Sequence, residues 1–419
     1  MKLEKKRIKI SFVLILYKIL LEFSYIYYVN PVYEYMGFTY DLNWLKFIES
    51  YIFLIFIAIN LPLNETKPSI IAVNVLNIIM IIPILSIYAL KNEARVYLYG
   101  IIISFFITII ITKLFPEISI RLKFSVNKVL YLLLIINTIV VYSTLLYYNG
   151  IPSFELLDFN KVYKIRGTIN YGFRIMKYLV VWQANIINCF FITLSFKNKN
   201  KNTLILMCVL QLLLYLLTSH KAFLFYPLII VIIMIFIKKK RFIIFSIYGI
   251  ITSIVVSGFL YFTKLSIMIP ALVINRTLFL PAQISFQYYK YFSNNGFTLL
   301  SHSIFSKFFS TPVYNIHPIK LIGTVYYSGN WANTGYLGDA YMNFGIFGML
   351  FFSFILGVIL KIIDSVSNSY DKKLISSAFI VIFMIALTNI ALLTNLLNGG
   401  LLFYILVLYL YNSRNIKNI

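Results

Sequence analysis

The chain alternates between long apolar runs and short polar stretches. The apolar runs are roughly 18 to 22 residues long, which is the length an α-helix needs to cross about 30 Å of hydrocarbon. The pattern therefore predicts an all-α protein with about twelve membrane-spanning helices. The predicted spans are 9–29, 45–61, 69–90, 96–113, 127–147, 176–195, 203–218, 222–237, 242–262, 336–360, 374–393 and 397–411. The first run has no small-residue cleavage site, so we expect it to remain as an uncleaved first span.

The polar stretches on the two sides of the predicted membrane differ in charge. The basic stretches all fall on one side, at 2–9, Lys67, 113–128, 197–201, 238–241, 361–373 and 414–417. The short loops on the other side hold only Lys91, Arg95 and Lys221. Because short cytoplasmic loops carry the excess of lysine and arginine in membrane proteins, we expect both termini in the cytoplasm.

Composition agrees with a membrane protein. The chain is 61% hydrophobic and 12% charged, whereas about 25% of a soluble globular chain is charged. The formal net charge is +24, and membrane orientation accounts for most of it. We find no basic face with interleaved aromatic residues, so we expect no nucleic-acid partner. Cys189 and Cys208 lie inside apolar runs and are expected to be small buried hydrophobic residues. The chain, 1–419, is expected to form a single transmembrane domain.

Two predicted external connections, 148–175 and 263–335, are too long to be passive connectors. The second contains no Asp or Glu, and its basic and histidine residues are Lys264, Arg276, Lys290, His302, Lys307, His317 and Lys320. The first holds Lys161, Lys164, Arg166 and Arg174 against Glu155 and Asp158. Such a surface suits an anionic ligand. Contact with anionic lipid head groups is the alternative explanation for these cations.

Arginine and aromatic residues add detail to these loops. The planar guanidinium binds phosphate oxygens in a bidentate way, so Arg166 and Arg276 are candidates for holding a diphosphate. Aromatic residues in the second loop could stack on sugar rings or simply favour the membrane interface. The stretch 278–293 has the composition of an interfacial amphipathic helix.

Several kinds of chemistry are excluded by the motifs that the sequence lacks. It contains no Walker A loop, Rossmann glycine fingerprint, G-x-S-x-G or H-E-x-x-H. His302 and His317 are expected to be isolated from each other and from carboxylates, so we predict no metal site and no cofactor. Lys18 and Glu22 are four residues apart on one helical face, which favours a structural ion pair. Because the nucleotide-binding and hydrolase motifs named above are absent, any chemistry must use a substrate that arrives already activated.

The segment from Asn330 to Gly348, running on to Gly357, resembles a signature of Wzy-type polysaccharide repeat-unit polymerases. The matching positions are Gly338, Tyr341, Asn343, Phe344, Gly345 and Gly348. Asp339 stands where the family often has Glu. Two weaker resemblances are the turn 219–221 between two spans and the stretch 276–292 that opens the second external loop.

The resemblance implies a GT-C-like membrane glycosyltransferase that joins undecaprenyl-diphosphate-linked oligosaccharides at the outer face of a bacterial cytoplasmic membrane. Its product would be O-antigen, capsule or exopolysaccharide, and a separate chain-length regulator would be a partner. Asp339 would be the general base for the acceptor hydroxyl, unless it only caps its helix. The residues expected to bind substrate are Arg276, Arg166, Arg174, Lys221, Asn333, Tyr341 and Asn343, with Arg276 also assisting catalysis.

Two other functions remain open. An O-antigen ligase carries a functional histidine in its large external loop, and His302 or His317 could serve in that role. A lipid-linked oligosaccharide flippase or another secondary transporter would also have about twelve spans, but transporters usually have short external loops and charges at the bilayer midplane.

Overall fold

The computed structural model describes residues 2–117, 127–152, 167–306 and 312–411. Every regular element in these ranges is a helix, so the predicted all-α class is confirmed there. The helices are α1 Glu4–Met36, α2 Trp44–Asn60, α3 Pro68–Leu90, α4 Arg95–Leu114, α5 Asn127–Asn149, α6 Met176–Asn198, α7 Lys201–Thr218, α8 Lys221–Lys238, α9 Phe242–Phe262, α10 Met268–Asn295, α11 Pro318–Tyr326, α12 Tyr336–Val366, α13 Tyr370–Ala386, α14 Leu392–Leu397 and α15 Leu401–Leu410.

Eleven candidate spans are long and apolar enough to cross a membrane in the described part of the chain: α1, α3 to α10, α12, and the 392–410 segment that contains α14 and α15. The chain is therefore a multi-pass membrane protein. The cytoplasmic position of its termini stays a prediction.

Two elements, α10 and α13, differ from the hydropathy prediction, whereas α2 agrees with the predicted span 45–61 to within one residue at each end. Residues 268–295, which the pattern placed in the second external loop, form one continuous helix of 28 residues, α10. By contrast, α2 and α13 are 17 residues each, at the short end of the range for a crossing. The segment 374–393, predicted as one span, stops being helical after Ala386.

Local sequence explains where several helices begin. The side chains of Asn43, Asn200 and Ser369 each accept a hydrogen bond from a backbone N–H three residues later. This is the usual way for Asn and Ser to satisfy the first free amides of a helix. Helix α3 instead starts with Pro68, whose missing N–H is not needed in the first turn.

The core of the bundle is built around α3. In the most apolar 18-residue window of α3, 94% of residues are buried, compared with 22% in α9, so α3 is central and α9 peripheral. Helix α12 packs along α4, and α13 packs along α3. These contacts bring the start of α12 and the end of α13 together beside the central helix.

The predicted ion pair between Lys18 and Glu22 is confirmed within α1. Lys18 donates to the Glu22 carboxylate and also to the Ser50 hydroxyl at 2.9 Å, while the Tyr51 hydroxyl donates to Glu22 at 2.6 Å. Lys18 is fully buried and Glu22 is 5% exposed. The pair therefore joins α1 to α2 inside the bundle, where an unpaired charge would be very costly.

Candidate functional site

Helix α12 folds back on itself near its start. Phe344 and Gly345 have non-helical backbone angles, with φ +63° and ψ −148° at Gly345. A Cβ on Gly348 would lie 2.2 Å from the carbonyl oxygen of Ala340, whereas eight residues of a straight helix span about 12 Å. Residues 336–343 thus form a short helix that lies against the long piece 346–366.

The chain after α13 is a second interrupted segment. It leaves the helix at Leu387, and α14 begins only at Leu392. The two interrupted segments touch: the Tyr336 N–H donates to the Leu387 carbonyl at 3.0 Å, and a Cβ on Gly335 would lie 2.6 Å from the Thr388 carbonyl. Only glycine allows the two backbones to approach so closely.

Non-helical backbone inside candidate spans has a physical requirement. At membrane depth it is tolerated only where it is buried in protein or lines a water-filled cavity. Here the two interrupted segments line one cavity of about 400 Å³. Its lining residues are Tyr288, His302, Ser303, Ile304, His317, Ile319, Asn333, Thr334, Asp339, Met342, Asn343, Asn389, Ile390, Ala391, Leu393 and Thr394.

Asp339 faces this cavity with an unpaired carboxylate. Within the described part of the chain, no residue donates a hydrogen bond or forms an ion pair to its side chain. Asp339 does not cap its helix, because the N-cap position is occupied by Gly335, four residues earlier. The carboxylate is thus available to a ligand, as a general base requires.

Two further polar atoms at the cavity are buried and have no hydrogen-bond partner among the residues that the structure describes. They are the Thr334 hydroxyl, on a residue that is 6% exposed, and His302 Nε2. Buried polar atoms in native structures usually have partners, so these two need an explanation. A polar ligand that fills the cavity would supply it.

His302 and His317 lie side by side, with ring centroids 5.6 Å apart. The prediction that they are isolated from each other is therefore wrong, and both line the cavity that Asp339 also lines. His317 Nδ1 accepts a hydrogen bond from the Ile319 N–H at 3.3 Å, which leaves its Nε2 to carry the proton of the neutral ring. Burial, and then the nearby His302, lower the pKa of His317. Among the described residues, no group of three His, Cys, Asp or Glu could hold a metal ion.

The predicted substrate-binding residues of the 330–348 segment separate into two roles. Asn333 is exposed and lines the cavity. Asn343 also lines the cavity, but its side chain is occupied by hydrogen bonds to the Thr298 hydroxyl, the Leu300 N–H and the Asp339 carbonyl. Tyr341 packs among aromatic rings, with centroids 5.3 Å from Tyr97 and 5.0 Å from Tyr289, and is not among the lining residues. The motif residues Tyr341, Asn343, Gly345 and Gly348 thus shape the fold of α12, and that fold presents Asp339 to the cavity.

The predicted cationic residues lie elsewhere in the described structure. Arg276 is exposed on the α10 segment Ala271–Phe279, Arg174 is exposed just before α6, and Lys221 is the half-buried first residue of α8. None of these three lines the cavity. Arg166 falls outside the described residues, as does Lys307. The structure therefore brings Asp339 and Asn333 together but separates them from Arg276.

Sequence reasoning missed Asn389 and Thr394 at the cavity, and it named Tyr288 only as one of the aromatic residues of the second external loop. Tyr288 donates to the Ala332 carbonyl at 2.9 Å and holds the approach to Asp339 in place. Asn389 and Thr394 come from the interrupted segment after α13. The polar pair 388–389, inside the otherwise apolar predicted span 374–393, and the polar pair 394–395 just after that span were the available signal.

Comparison with models of known families, with curated proteins and with solved structures finds no match to this chain.

Proposed function

We propose that this protein is a membrane glycosyltransferase that polymerises undecaprenyl-diphosphate-linked oligosaccharide repeat units at the outer face of a bacterial cytoplasmic membrane. The single observation that carries the proposal is the unpaired carboxylate of Asp339 in a cavity between two interrupted helical segments. This carboxylate stands in the segment that resembles the polymerase signature. Support thus comes from both the motif and its surroundings.

The proposed reaction needs no cofactor. An acceptor hydroxyl oxygen forms a bond to the anomeric carbon of the donor while the bond from that carbon to the diphosphate oxygen breaks. The diphosphate leaves with the electron pair, and the hydroxyl proton passes to the Asp339 carboxylate. Positioning of the two sugars supplies much of the rate. Cations, with Arg276 and Arg174 as the described candidates, would stabilise the charge on the leaving diphosphate.

Two other functions draw on particular observations. The pairing of His302 with His317 at the cavity favours an O-antigen ligase, which would use a histidine. The interrupted segments 336–343 and 387–391 favour a transporter of lipid-linked oligosaccharide, because transporter binding sites are built from broken helices. We place the polymerase first because the unpaired carboxylate and the motif lie in one segment.

The test is deletion of the gene in its host, with the surface glycans resolved on a gel. Single-repeat products in the deletion strain, and ladders restored by the wild-type gene, would establish a polymerase. Trapping of repeat units inside the cell would identify a flippase instead. Full-length chains that accumulate on the lipid carrier would identify a ligase.

Complementation with Asp339→Asn then tests the site. We expect the ladder to be lost, because a general base contributes about 10²- to 10⁴-fold in rate. Glu34→Gln, a neutralisation of an exposed carboxylate away from the cavity, is the matched control and should restore the ladder. A normal ladder from Asp339→Asn, with the variant present in the membrane, would remove Asp339 from the reaction.

A further inference from the structure

The cavity has a chemical character that the proposed function leaves unassigned. Its polar lining consists of amides, hydroxyls, two imidazoles and one carboxylate, and none of the described lining residues is Lys or Arg. An unpaired carboxylate repels an anion, most strongly where water is scarce. A diphosphate is therefore a poor occupant of this space.

Uncharged sugars suit the same lining. A sugar ring presents several hydroxyls that can each donate and accept, which is what a mixture of amide, hydroxyl and carboxylate groups can satisfy. The partnerless Thr334 hydroxyl and His302 Nε2 are two buried atoms that would gain hydrogen bonds from such a ligand. The volume, about 400 Å³, lies in the usual range for small-molecule pockets.

We propose that the cavity is the acceptor subsite of this glycosyl transfer, an inference that rests on the proposed function. It takes the terminal, uncharged sugar of the acceptor glycan. The acceptor hydroxyl lies at Asp339, and the diphosphate of the donor binds outside the cavity. Asn389 on the interrupted segment and Asn333 before α12 face this sugar from two sides and determine which sugar is accepted.

The test measures protection of a cysteine in the cavity from a small methanethiosulfonate reagent. Ile390→Cys places a thiol in the lining without removing a polar group, and Leu393→Cys is a second position should the first fail to fold. Thr324→Cys, exposed on α11 and outside the cavity, is the control. All are made with Cys208→Ser, because Cys208 is partly exposed whereas Cys189 is buried.

The probes are methyl glucoside, methyl galactoside, methyl N-acetylglucosaminide, methyl glucuronide and inorganic diphosphate, added to the purified full chain. We expect at least one uncharged glycoside to slow labelling of the cavity cysteine by about threefold or more, as occupancy requires, with no effect on Thr324→Cys. Asn389→Ala should weaken this protection by about tenfold, the effect of one lost hydrogen bond in a buried site.

Protection by diphosphate, stronger protection by glucuronide than by glucoside, or no protection by any uncharged glycoside would each overturn the assignment. These outcomes are separate from the fate of the proposed function. A chain that makes the glycan ladder but shows no sugar protection is a polymerase whose acceptor binds elsewhere. A chain that shows sugar protection without making a ladder binds sugar but is not the polymerase.

Discussion

The side-chain oxygen of Asn343 accepts a hydrogen bond of 2.6 Å from the hydroxyl of Thr298. The same oxygen accepts from the Leu300 N–H at 2.9 Å, and the Asn343 amide donates to the Asp339 carbonyl at 2.9 Å. One buried amide thus joins the segment after α10 to the turn of chain that carries Asp339.

Replacement of this amide should destabilise the protein. Asn343→Leu leaves the Leu300 N–H and much of the bonding of buried Thr298 unsatisfied, so we expect a loss of about 1–3 kcal/mol in the free energy of unfolding. The measurement is the thermal midpoint in detergent. Asn295→Ala is the control, at an exposed residue whose side chain donates to the Tyr291 carbonyl of its own helix. Equal midpoints for the two variants would contradict this role.

Replacement of Asp364 by alanine should lower the stability of the protein, whereas replacement of Asp339 on the same helix should abolish activity without lowering stability. The Asp364 carboxylate is 7% exposed and accepts from the Ser69 N–H at 2.9 Å and from the Ser69 hydroxyl at 2.5 Å. Asp364→Ala should therefore lower stability by about 1–3 kcal/mol. Asp339→Ala should change stability by less than about 0.5 kcal/mol, because no described residue bonds to the Asp339 carboxylate and alanine keeps the backbone carbonyl that Asn343 binds, while activity is lost. A stability loss from Asp339→Ala as large as that from Asp364→Ala would show that Asp339 is structural.

The turn at Gly345 is expected to reject any side chain. Its φ of +63° is unfavourable for other residues, and a Cβ would lie 2.8 Å from the Phe297 ring. We expect Gly345→Ala to lower stability by about 1–3 kcal/mol. Gly249→Ala is the matched control, because a Cβ there meets nothing within 4 Å and alanine favours the helix. If both variants unfold at the same temperature, the sharp turn is not needed for the fold.

The effects of replacing Lys18 and Glu22, the buried ion pair of α1, on stability should be energetically coupled. Lys18→Met leaves the Glu22 carboxylate without its cation, and breaking such a pair costs about 3–5 kcal/mol. The double variant Lys18→Met with Glu22→Gln removes both charges and should be markedly more stable than Lys18→Met alone. A double-mutant cycle on unfolding midpoints measures this difference. Additive effects would mean that the two side chains do not interact.

His317 should make stability depend on pH. Its pKa is lowered from the ordinary 6.5 in the folded protein, so the unfolded chain binds the proton more readily. The resulting stabilisation is fully present above about pH 6.5 and is lost as pH falls from there toward the folded pKa. His317→Gln should therefore show a flatter decline than the wild type as pH falls below about 6.5. Parallel melting curves for the two proteins would contradict the assignment to His317.

Much of the fold follows from the sequence because apolar length and the capping residues Asn43, Asn200 and Ser369 set most helix bounds. The sequence predicted only an interfacial amphipathic helix over 278–293 in place of α10. The full span was missed because Gln283, Ser285 and Gln287 make α10 the least apolar of the eleven candidate spans. In the fold these side chains are buried: Gln283 donates to the Met36 carbonyl, and Ser285 bonds to Tyr97. Such partners come from distant segments, which hydropathy cannot reveal.

The site was only partly predictable for the same reason. Asp339 and Asn333 stand in a recognisable motif, so they could be selected from the sequence. The contact of His302 with His317 depends on how the loop after α10 returns to the bundle. The roles of Asn389 and Thr394 depend on where a predicted span breaks. Local patterns carry no information on either point.

The contact between Tyr336 and Leu387 also bears on how the chain is assembled in the cell. The amide of Tyr336 finds its partner only in a segment that leaves the ribosome later, after α13. Until then the backbone at the start of α12 would have an unsatisfied polar group, which hydrocarbon does not tolerate. We therefore expect residues 336–343 to remain in water or bound to a helper protein until the segment after α13 has been synthesised. The cavity is accordingly among the last parts of the bundle to form, and a nascent chain that stops after α12 should be recognised by quality-control proteases.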